Sequence, residues 1–282
     1  MGRWIFLNTG FVDEDHAKLH VKDLAIQRGY GIFDFFKVLN FTPVFLNDHL
    51  DRFYHSAARM RLEIPYTRFQ IQEILTRLIE INAIPDCGIR LTLTGGYSED
   101  GYLPASPNLV IATLPLMEVS KETYDAGITL TAWEHQRQLP EVKSIDYLMA
   151  IWLQPVLQQK NENDILYHTG AVITECPRSN FFIVTKDNCL VTPGKNILKG
   201  ITRKQILKFA SSIMPVEERA ISLDELKTAK EAFITSTTKQ ILPVLRVDDY
   251  FLNNGQKPYS DKLLNAFLVH QSASLKQTVG SR

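Results

Sequence analysis

No class of residue dominates this 282-residue sequence, and each shortage removes a class of protein. Lys plus Arg number 31 and Asp plus Glu also 31, so the formal net charge is zero. The basic excess of a nucleic-acid surface is missing, and no block of like charge forms a tail. Cysteine is scarce. Cys87, Cys176 and Cys189 stand far apart and odd in number, which fits neither a disulfide framework nor a metal-ligand spacing. Nowhere do about 18 apolar residues run together, the length a bilayer-crossing helix needs. The opening MGRWIFLNTGFVDEDH lacks the charged start and continuous apolar stretch of a signal peptide. Repeats and low-complexity segments are missing as well. These absences predict a chain of the reducing cytoplasm, without membrane, nucleic-acid or metal partners, that meets small molecules or its own copy.

What is present is ordinary globular material, 45% hydrophobic and 22% charged, enough for one large domain or two medium ones. WIFLNTGFV (4–12) and IFDFFKVLNFTPVFL (32–46) read as strands, the second turning around Asn40 to Pro43. NDHLDRFYHSAARMRL (47–62) has helical periodicity with Asn47 and Asp48 as caps, and RFQIQEILTRLIEINA (68–83) is a second amphipathic helix. IRLTLTGG (89–96) and NLVIATLPL (108–116) return to strand. The text loosens at MEVSKETYDA, then alternates strands and helices; a Pro/Gly/Asn-rich tail holds a helix at 259–276. The expectation is an α+β (mixed α/β) fold in two domains, 1–117 and 127–282, with 118–126 as the link.

Four features carry chemistry. After the β-like run GITLTAWEHQRQ (127–138), the stretch EVKSIDYL (141–148) sets one lysine, Lys143, just ahead of an apolar helical pattern. Most lysines keep their amine in water, but a lysine can also bind an aldehyde cofactor as a Schiff base. In AVITECPRSNFFIV (171–184) one strand enters and another leaves, placing the Glu175 carboxylate at a strand end, where a solvated turn residue would serve as well. LKGITRKQILKFA (198–210) opens a helix at Gly200, and unpaired N–H groups with the helix dipole make such a terminus an anion site. ITSTTKQILPV (234–244) offers four small hydroxyls, Thr235, Ser236, Thr237 and Thr238, either the second wall of a phosphate cup or a bare polar loop. Together they share one logic. An amine holds an aldehyde, an anion keeps a pyridine nitrogen protonated, and donors grip a phosphate. Pyridoxal 5′-phosphate has all three parts.

LKGITR, TSTTKQILPV, ITECPRSNFFIV and NDHLDRFYHSA resemble, in the same order and over residues 5 to 255, the signature segments of the fold type IV pyridoxal-phosphate enzymes, the class IV aminotransferases. That resemblance implies a smaller N-terminal α/β domain, a larger C-terminal pseudo-barrel, and a homodimer. It makes Lys143 the Schiff-base lysine and proton shuttle, Glu175 the partner of the pyridinium nitrogen, and Arg52 the arginine that grips the phosphate. Ile201 and Thr202 match the helix-terminus donors, and Thr237 with its neighbour Ser236 the donors of the second loop. Ser179 and Asn180 match the turn that supports the ring, and Tyr147 is a candidate for its phenolate oxygen. Asp146 stands where many relatives carry Asn. The implied reaction is ping-pong transamination between an amino acid and a 2-oxo acid. A lyase acting on aminodeoxychorismate and a non-catalytic protein that kept the fold are the alternatives.

Substrate choice is marked less sharply. D-amino-acid aminotransferases of this family carry a tyrosine where GYGIFDFFK (29–37) has Phe33, and an Arg-x-His trap where this chain reads SEDGY with Asp100 and Tyr102. Branched-chain enzymes are similar to it in Phe33 and in Arg90 of GIRLTLTGG, although Gly88 replaces their tyrosine and Cys176-Pro177-Arg178-Ser179 a Gly-Thr-X-Asn turn. Their apolar side-chain pocket would suit Phe33, Phe35 and Trp133. A substrate carboxylate calls for a guanidinium. Arg28, Arg90 and Arg178 are the candidates, with a surface salt bridge as the other reading of each; two of them as an alternative trap would readmit D-amino acids. His49, three before Arg52, is a pocket candidate or a structural histidine.

Overall fold

The computed structural model describes residues 3–252 and 256–280; residues 253–255 of the expected tail lie outside them. The fold is the mixed α/β class that the sequence predicts. Two compact units form. The first comprises the chain up to Leu116, the segment Val142–Asp146 and the chain from Ser274; the second comprises Met117–Glu141 and Tyr147–Ala273. Among the described residues no helix is long and apolar enough to cross a membrane.

In the first unit β1 (Trp4–Leu7), β2 (Gly10–Asp13), β3 (Gly31–Leu39), β4 (Thr42–Pro43), β5 (Cys87–Thr94) and β6 (Leu109–Leu114) make one antiparallel sheet, ordered β2-β1-β6-β5-β3-β4. The helices α1 (Leu24–Arg28), α2 (Leu46–Arg59) and α3 (Arg68–Asn82) belong to the same unit. Alternation along β3 decides what the sheet does, because successive side chains take opposite faces. Ile32, Phe36 and Val38, with Ile89, Leu91 and Leu93 of β5, join Leu50, Phe53, Leu75 and Leu78 of the helices in a sealed core. Phe33 and Phe35 take the other face, opposite Thr92 and Arg90. Gly88 belongs to that face too, and a Cβ on it would stand 2.4 Å from the Phe35 ring.

The expected helix caps are displaced. α2 starts behind Phe45, which adopts the left-handed conformation (φ 53°) and makes no side-chain cap bond. Asn47 and Asp48 fall inside the first turn instead. There Asn47 Oδ1 accepts from Arg68 and Gln72 of α3, and the Asp48 charge suits the helix dipole. The strand expected to reach residue 46 stops at Pro43. Asn40 and Phe41, both at positive φ, reverse the chain so tightly that only Thr42 and Pro43 pair back onto Leu39 and Val38.

The second unit opens with α4 (Lys121–Ala126), inside the loosened MEVSKETYDA stretch, where Ser120 Oγ caps the helix by accepting from the Thr123 N–H. Then come β7 (Ile128–Glu134), α5 (Leu148–Trp152), α6 (Gln154–Lys160), β8 (Asp164–Thr169), β9 (Val172–Ile173), β10 (Glu175–Cys176), β11 (Ser179–Val184) and β12 (Leu190–Thr192). They are followed by α7 (Ile201–Ala210), β13 (Val216–Glu218), β14 (Ile221–Ser222), α8 (Leu223–Leu226), β15 (Glu231–Ser236), β16 (Gln240–Val247), β17 (Tyr250–Phe251) and α9 (Pro258–Gly280), of which the residues from Ser274 count with the first unit. The strands curl into one sheet, ordered β13-β12-β11-β15-β16-β7-β8-β9-β14, with β10 on β11 and β17 on β16. β11 is buried along its whole length, which is why FFIV reads as a continuous apolar run. Phe181, Ile183, Ile234 and Leu242 form its core with Leu130 and Leu166.

Candidate active site

Lys143 owes its place to backbone pairing. Residues 143–145 lie along the first half of β3: the Phe33 N–H donates to the Lys143 carbonyl (2.9 Å), and the Ile145 N–H to the Gly31 carbonyl (3.1 Å). The Lys143 N–H reaches Ser56 Oγ of α2 at 3.2 Å, and fully buried Val142 anchors the segment in the first core. Held so, Lys143 sets its Nζ 4.4 Å from the centre of the Phe33 ring, while Arg90 sets its Cζ 4.1 Å from the same centre. Arg90 Nε also donates to Thr92 Oγ1 at 3.3 Å. Each cation is attracted by the ring's electron-rich face, by about 0.5–2 kcal/mol. The result is a concentration of positive charge beside an apolar surface.

One residue along, Asp34 turns to the core side and is 1% exposed. Arg52 clasps it in a fork, Nε to Oδ2 and Nη2 to Oδ1, both at 2.8 Å. His49 Nδ1 meets Oδ1 at 2.7 Å. Burial alone would raise the Asp34 carboxyl; the charges and hydrogen bonds of Arg52 and His49 outweigh it and hold the group well below the usual carboxylate range. Burial pushes His49 down against the pull of Asp34.

In the second unit the β10–β11 hairpin pairs Cys176 with Ser179 and Glu175 with Asn180. Glu175 is 4% exposed, and its two oxygens have separate partners. Oε1 accepts from Arg137 Nε at 2.8 Å, and Oε2 from the Leu198 N–H at 3.0 Å. Arg137 Nη2 is tied in turn to the Pro140 carbonyl at 2.7 Å. Such compensation is what lets a carboxylate remain charged in so dry a place.

Asn180 carries the construction on to α7. Its Nδ2 donates to the Leu198 carbonyl (2.7 Å), and its Oδ1 accepts from the Gly200 N–H (3.1 Å). A Cβ on Gly200 would stand 2.1 Å from that Oδ1, so only glycine fits. α7 therefore begins with no side-chain cap, and the buried Ile201 and Thr202 have backbone N–H groups with no acceptor among the described residues. Donors of this kind bind anions. The β15–β16 hairpin closes through Thr237, Thr238 and Lys239, with Gln240 at φ 55°. Ser236 Oγ accepts from the Lys239 N–H (3.1 Å), while buried Thr235 Oγ1 has no partner among the described residues.

The expected residues thus fall into two groups. Lys143, Phe33 and Arg90 meet in the first unit, with Arg52 held on Asp34. Glu175, Ser179, Asn180, Ile201 and Thr202 assemble in the second, where Lys239 links Ser179 to the hairpin of Ser236 and Thr237. Tyr147 is half-buried at the head of α5. Trp133 is half-buried against Trp152, ring centres 6.3 Å apart. Arg28 is exposed and donates to the Gln27 carbonyl, and Arg178 is exposed in the β10–β11 turn. Sequence reasoning missed Asp34, Arg137 and Lys239. Only Asp34 left a signal, a lone carboxylate inside an apolar strand, which is buried only with a partner.

Comparison with known proteins gives the family of the chain. The family model described as amino-transferase class IV matches residues 31–247. This chain belongs to the class IV aminotransferases. A Methanocaldococcus jannaschii protein provisionally named a branched-chain-amino-acid aminotransferase is 33% identical over 266 residues, 89% of this chain and 90% of its own. A D-alanine aminotransferase of Listeria monocytogenes is 28% identical over 277 residues, 95% of each chain. The branched-chain amino acid aminotransferase of Escherichia coli has the same fold, with a TM-score of 0.89 at 24% identity over 97% of this chain and 96% of that one. The chain is a transaminase that depends on pyridoxal 5′-phosphate. Its residues fit that cofactor: N–H groups at Ile201 and Thr202 that have no acceptor among the described residues, together with the glycine cradle, suit a phosphate, and the compensated Glu175 carboxylate suits a ring nitrogen.

Proposed function

We propose that this transaminase acts on α-amino acids with apolar side chains, branched-chain L-amino acids foremost, and returns the amino group to a 2-oxo acid in a ping-pong cycle. The observation that carries the reading is the ring shared by Lys143 and Arg90. A carboxylate brought there meets the Arg90 guanidinium, and Phe33 and Phe35 offer apolar surface to a side chain. Pyridoxal phosphate supplies an aldehyde for the substrate amine and a ring that takes up electron density. Lys143 would hold the cofactor at its aldehyde carbon, and its amine, once the substrate amine has displaced it there, would be free to take the proton from the substrate Cα. Glu175 would hold the ring nitrogen, and Ser179 and Asn180 would support the ring. Ile201, Thr202, Ser236, Thr237 and Arg52 would bind the phosphate, and Tyr147 the phenolate oxygen. Arg28 and Arg178 are secondary candidates for the substrate carboxylate.

D-amino acids are the second reading, favoured by the D-alanine aminotransferases that match 95% of the chain at 28% identity. Half-reactions with D- and L-amino acids separate the two: L-leucine, L-isoleucine and L-valine should convert the cofactor's aldehyde absorbance to that of its amine form. Conversion by D-alanine alone would transfer the assignment to D-amino acids.

A homodimer belongs to the same reading. α5 buries none of its residues, and Leu148, Ile151 and Trp152 are 76%, 68% and 62% exposed, a face suited to a second copy. Light scattering should give twice the chain mass of 32.2 kDa, and a single-chain mass would reject the dimer. A reducing cytoplasm suits the three cysteines, all free thiols.

A further inference from the structure

We infer that Lys239 and Asp164 are positioning residues, an ion pair that braces the hydroxyl-bearing hairpin against the start of α7; the inference rests on reading Ser236 and Thr237 as phosphate donors. Lys239 directly follows the hydroxyl residues, where a cation would be expected to turn toward the anion. Its ammonium goes elsewhere. Nζ lies 2.9 Å from Asp164 Oδ2 on β8 and 3.3 Å from Ser179 Oγ at the head of β11, while its own backbone N–H donates to Ser236 Oγ. Asp164 is 6% exposed, and its other oxygen accepts from the Ile165 N–H at 2.9 Å, so the carboxylate is fixed from both sides.

The consequence concerns two anion walls at once. Ser179 precedes Asn180, and Asn180 holds Gly200 and with it the first turn of α7. One ammonium therefore connects the turn bearing Thr237 to the strand bearing Asn180. Donors that share a phosphate must be held to within about 0.5 Å of their productive places, and hairpin turns by themselves are not that rigid. A part-buried ion pair fixed at both ends supplies the missing constraint, and removing one partner leaves the other charge uncompensated.

The test compares two ligands that differ only in the phosphate. Apoprotein carrying Lys239→Met, Asp164→Asn or both is titrated with pyridoxal 5′-phosphate and separately with pyridoxal, and melting curves check folding. Each single variant should weaken pyridoxal phosphate about 10–100-fold, and the double variant no further, because the pair acts as a unit. Pyridoxal affinity should change by less than about threefold, since no phosphate is present to feel the misplacement. Equal weakening of both ligands would make the pair a general structural brace. Weakening by Lys239→Met alone would make Lys239 a direct phosphate ligand, and no weakening at all would end the idea. Should Lys239→Met not fold, the near-isosteric Asp164→Asn still decides. Failure of the unaltered protein to bind pyridoxal phosphate is a separate result, and it would overturn the cofactor reading itself.

Discussion

Arg137 holds Nε 2.8 Å from Oε1 of Glu175, a residue 38 positions later in the chain. The guanidinium is only 16% exposed and the carboxylate 5%, so neither charge has water to fall back on. A buried ion pair built this way is weak evidence of net stabilisation, but breaking it is costly. Arg137→Met should lower folding stability by about 3–5 kcal/mol and weaken cofactor binding, measured by urea unfolding and by titration of the apoprotein. An unchanged unfolding midpoint would show that Glu175 finds compensation without Arg137.

Asp34 predicts a dependence on acidity. Its folded-state carboxyl lies below the unfolded value, so its stabilisation is complete above an ordinary carboxylate pKa of about 3.9 and is lost as pH falls below it. The pKa of His49 is lowered by burial; its contribution therefore fades as pH drops below about 6.5, where the unfolded chain takes up the proton first. Asp34→Asn should cost about 3–5 kcal/mol at neutral pH by leaving Arg52 unmatched, and it should flatten the fall in stability between about pH 4 and 2. Urea unfolding across pH measures both, and parallel curves for the two proteins would remove Asp34 from the account.

The sequence was most legible where geometry is local. The aromatic-rich strand run starting at Ile32 and the helical spacing in 68–83 are properties of a few neighbouring residues, and both elements formed with nearly the expected bounds. Gly200 and the helix it opens could be read for the same reason, since the start of a helix is set by the residues on either side. Lys143, by contrast, was visible as a lone lysine while its means of support was not. Its hold on β3 comes from bonds between residues 31–33 and 143–145, which no local pattern announces. Arg137 and Lys239 were hidden for that reason too: each is one arginine or lysine among 31 until folding brings it to a distant carboxylate. The displaced start of α2 has another cause. Phe45 enters the left-handed region, a conformation that an aromatic residue seldom adopts and that sequence propensity does not foresee.

Gly200 offers a test of the proposed phosphate site by sterics alone. Its φ of −64° is open to any residue, so replacement by alanine carries no backbone penalty. The added Cβ would stand 2.1 Å from Asn180 Oδ1, and the asparagine must yield its bond to the Gly200 N–H. Overpacking of this kind costs about 1–3 kcal/mol. Gly200→Ala should therefore weaken pyridoxal phosphate about 10–100-fold in equilibrium titration. Retention of full affinity would show that Asn180 can move without disturbing the N–H groups of Ile201 and Thr202.

Arg90 carries the assignment of the substrate carboxylate. It stands on β5 opposite Phe35, with its guanidinium 4.1 Å from the centre of the Phe33 ring that also meets Lys143. If it binds the carboxylate, Arg90→Ala should raise KM for amino and 2-oxo acids at least about 30-fold, the expected cost of leaving one charge of such a pair unmatched. Arg90→Lys should recover only part of that loss, because a lysine ammonium cannot reproduce the planar two-point grip. Cofactor absorbance should stay as in the unaltered protein, since Arg90 is not among the groups that bind the ring or the phosphate. A steady-state KM that does not move for either variant would shift the carboxylate to Arg28 or Arg178, and D-amino acids would then become the leading substrates.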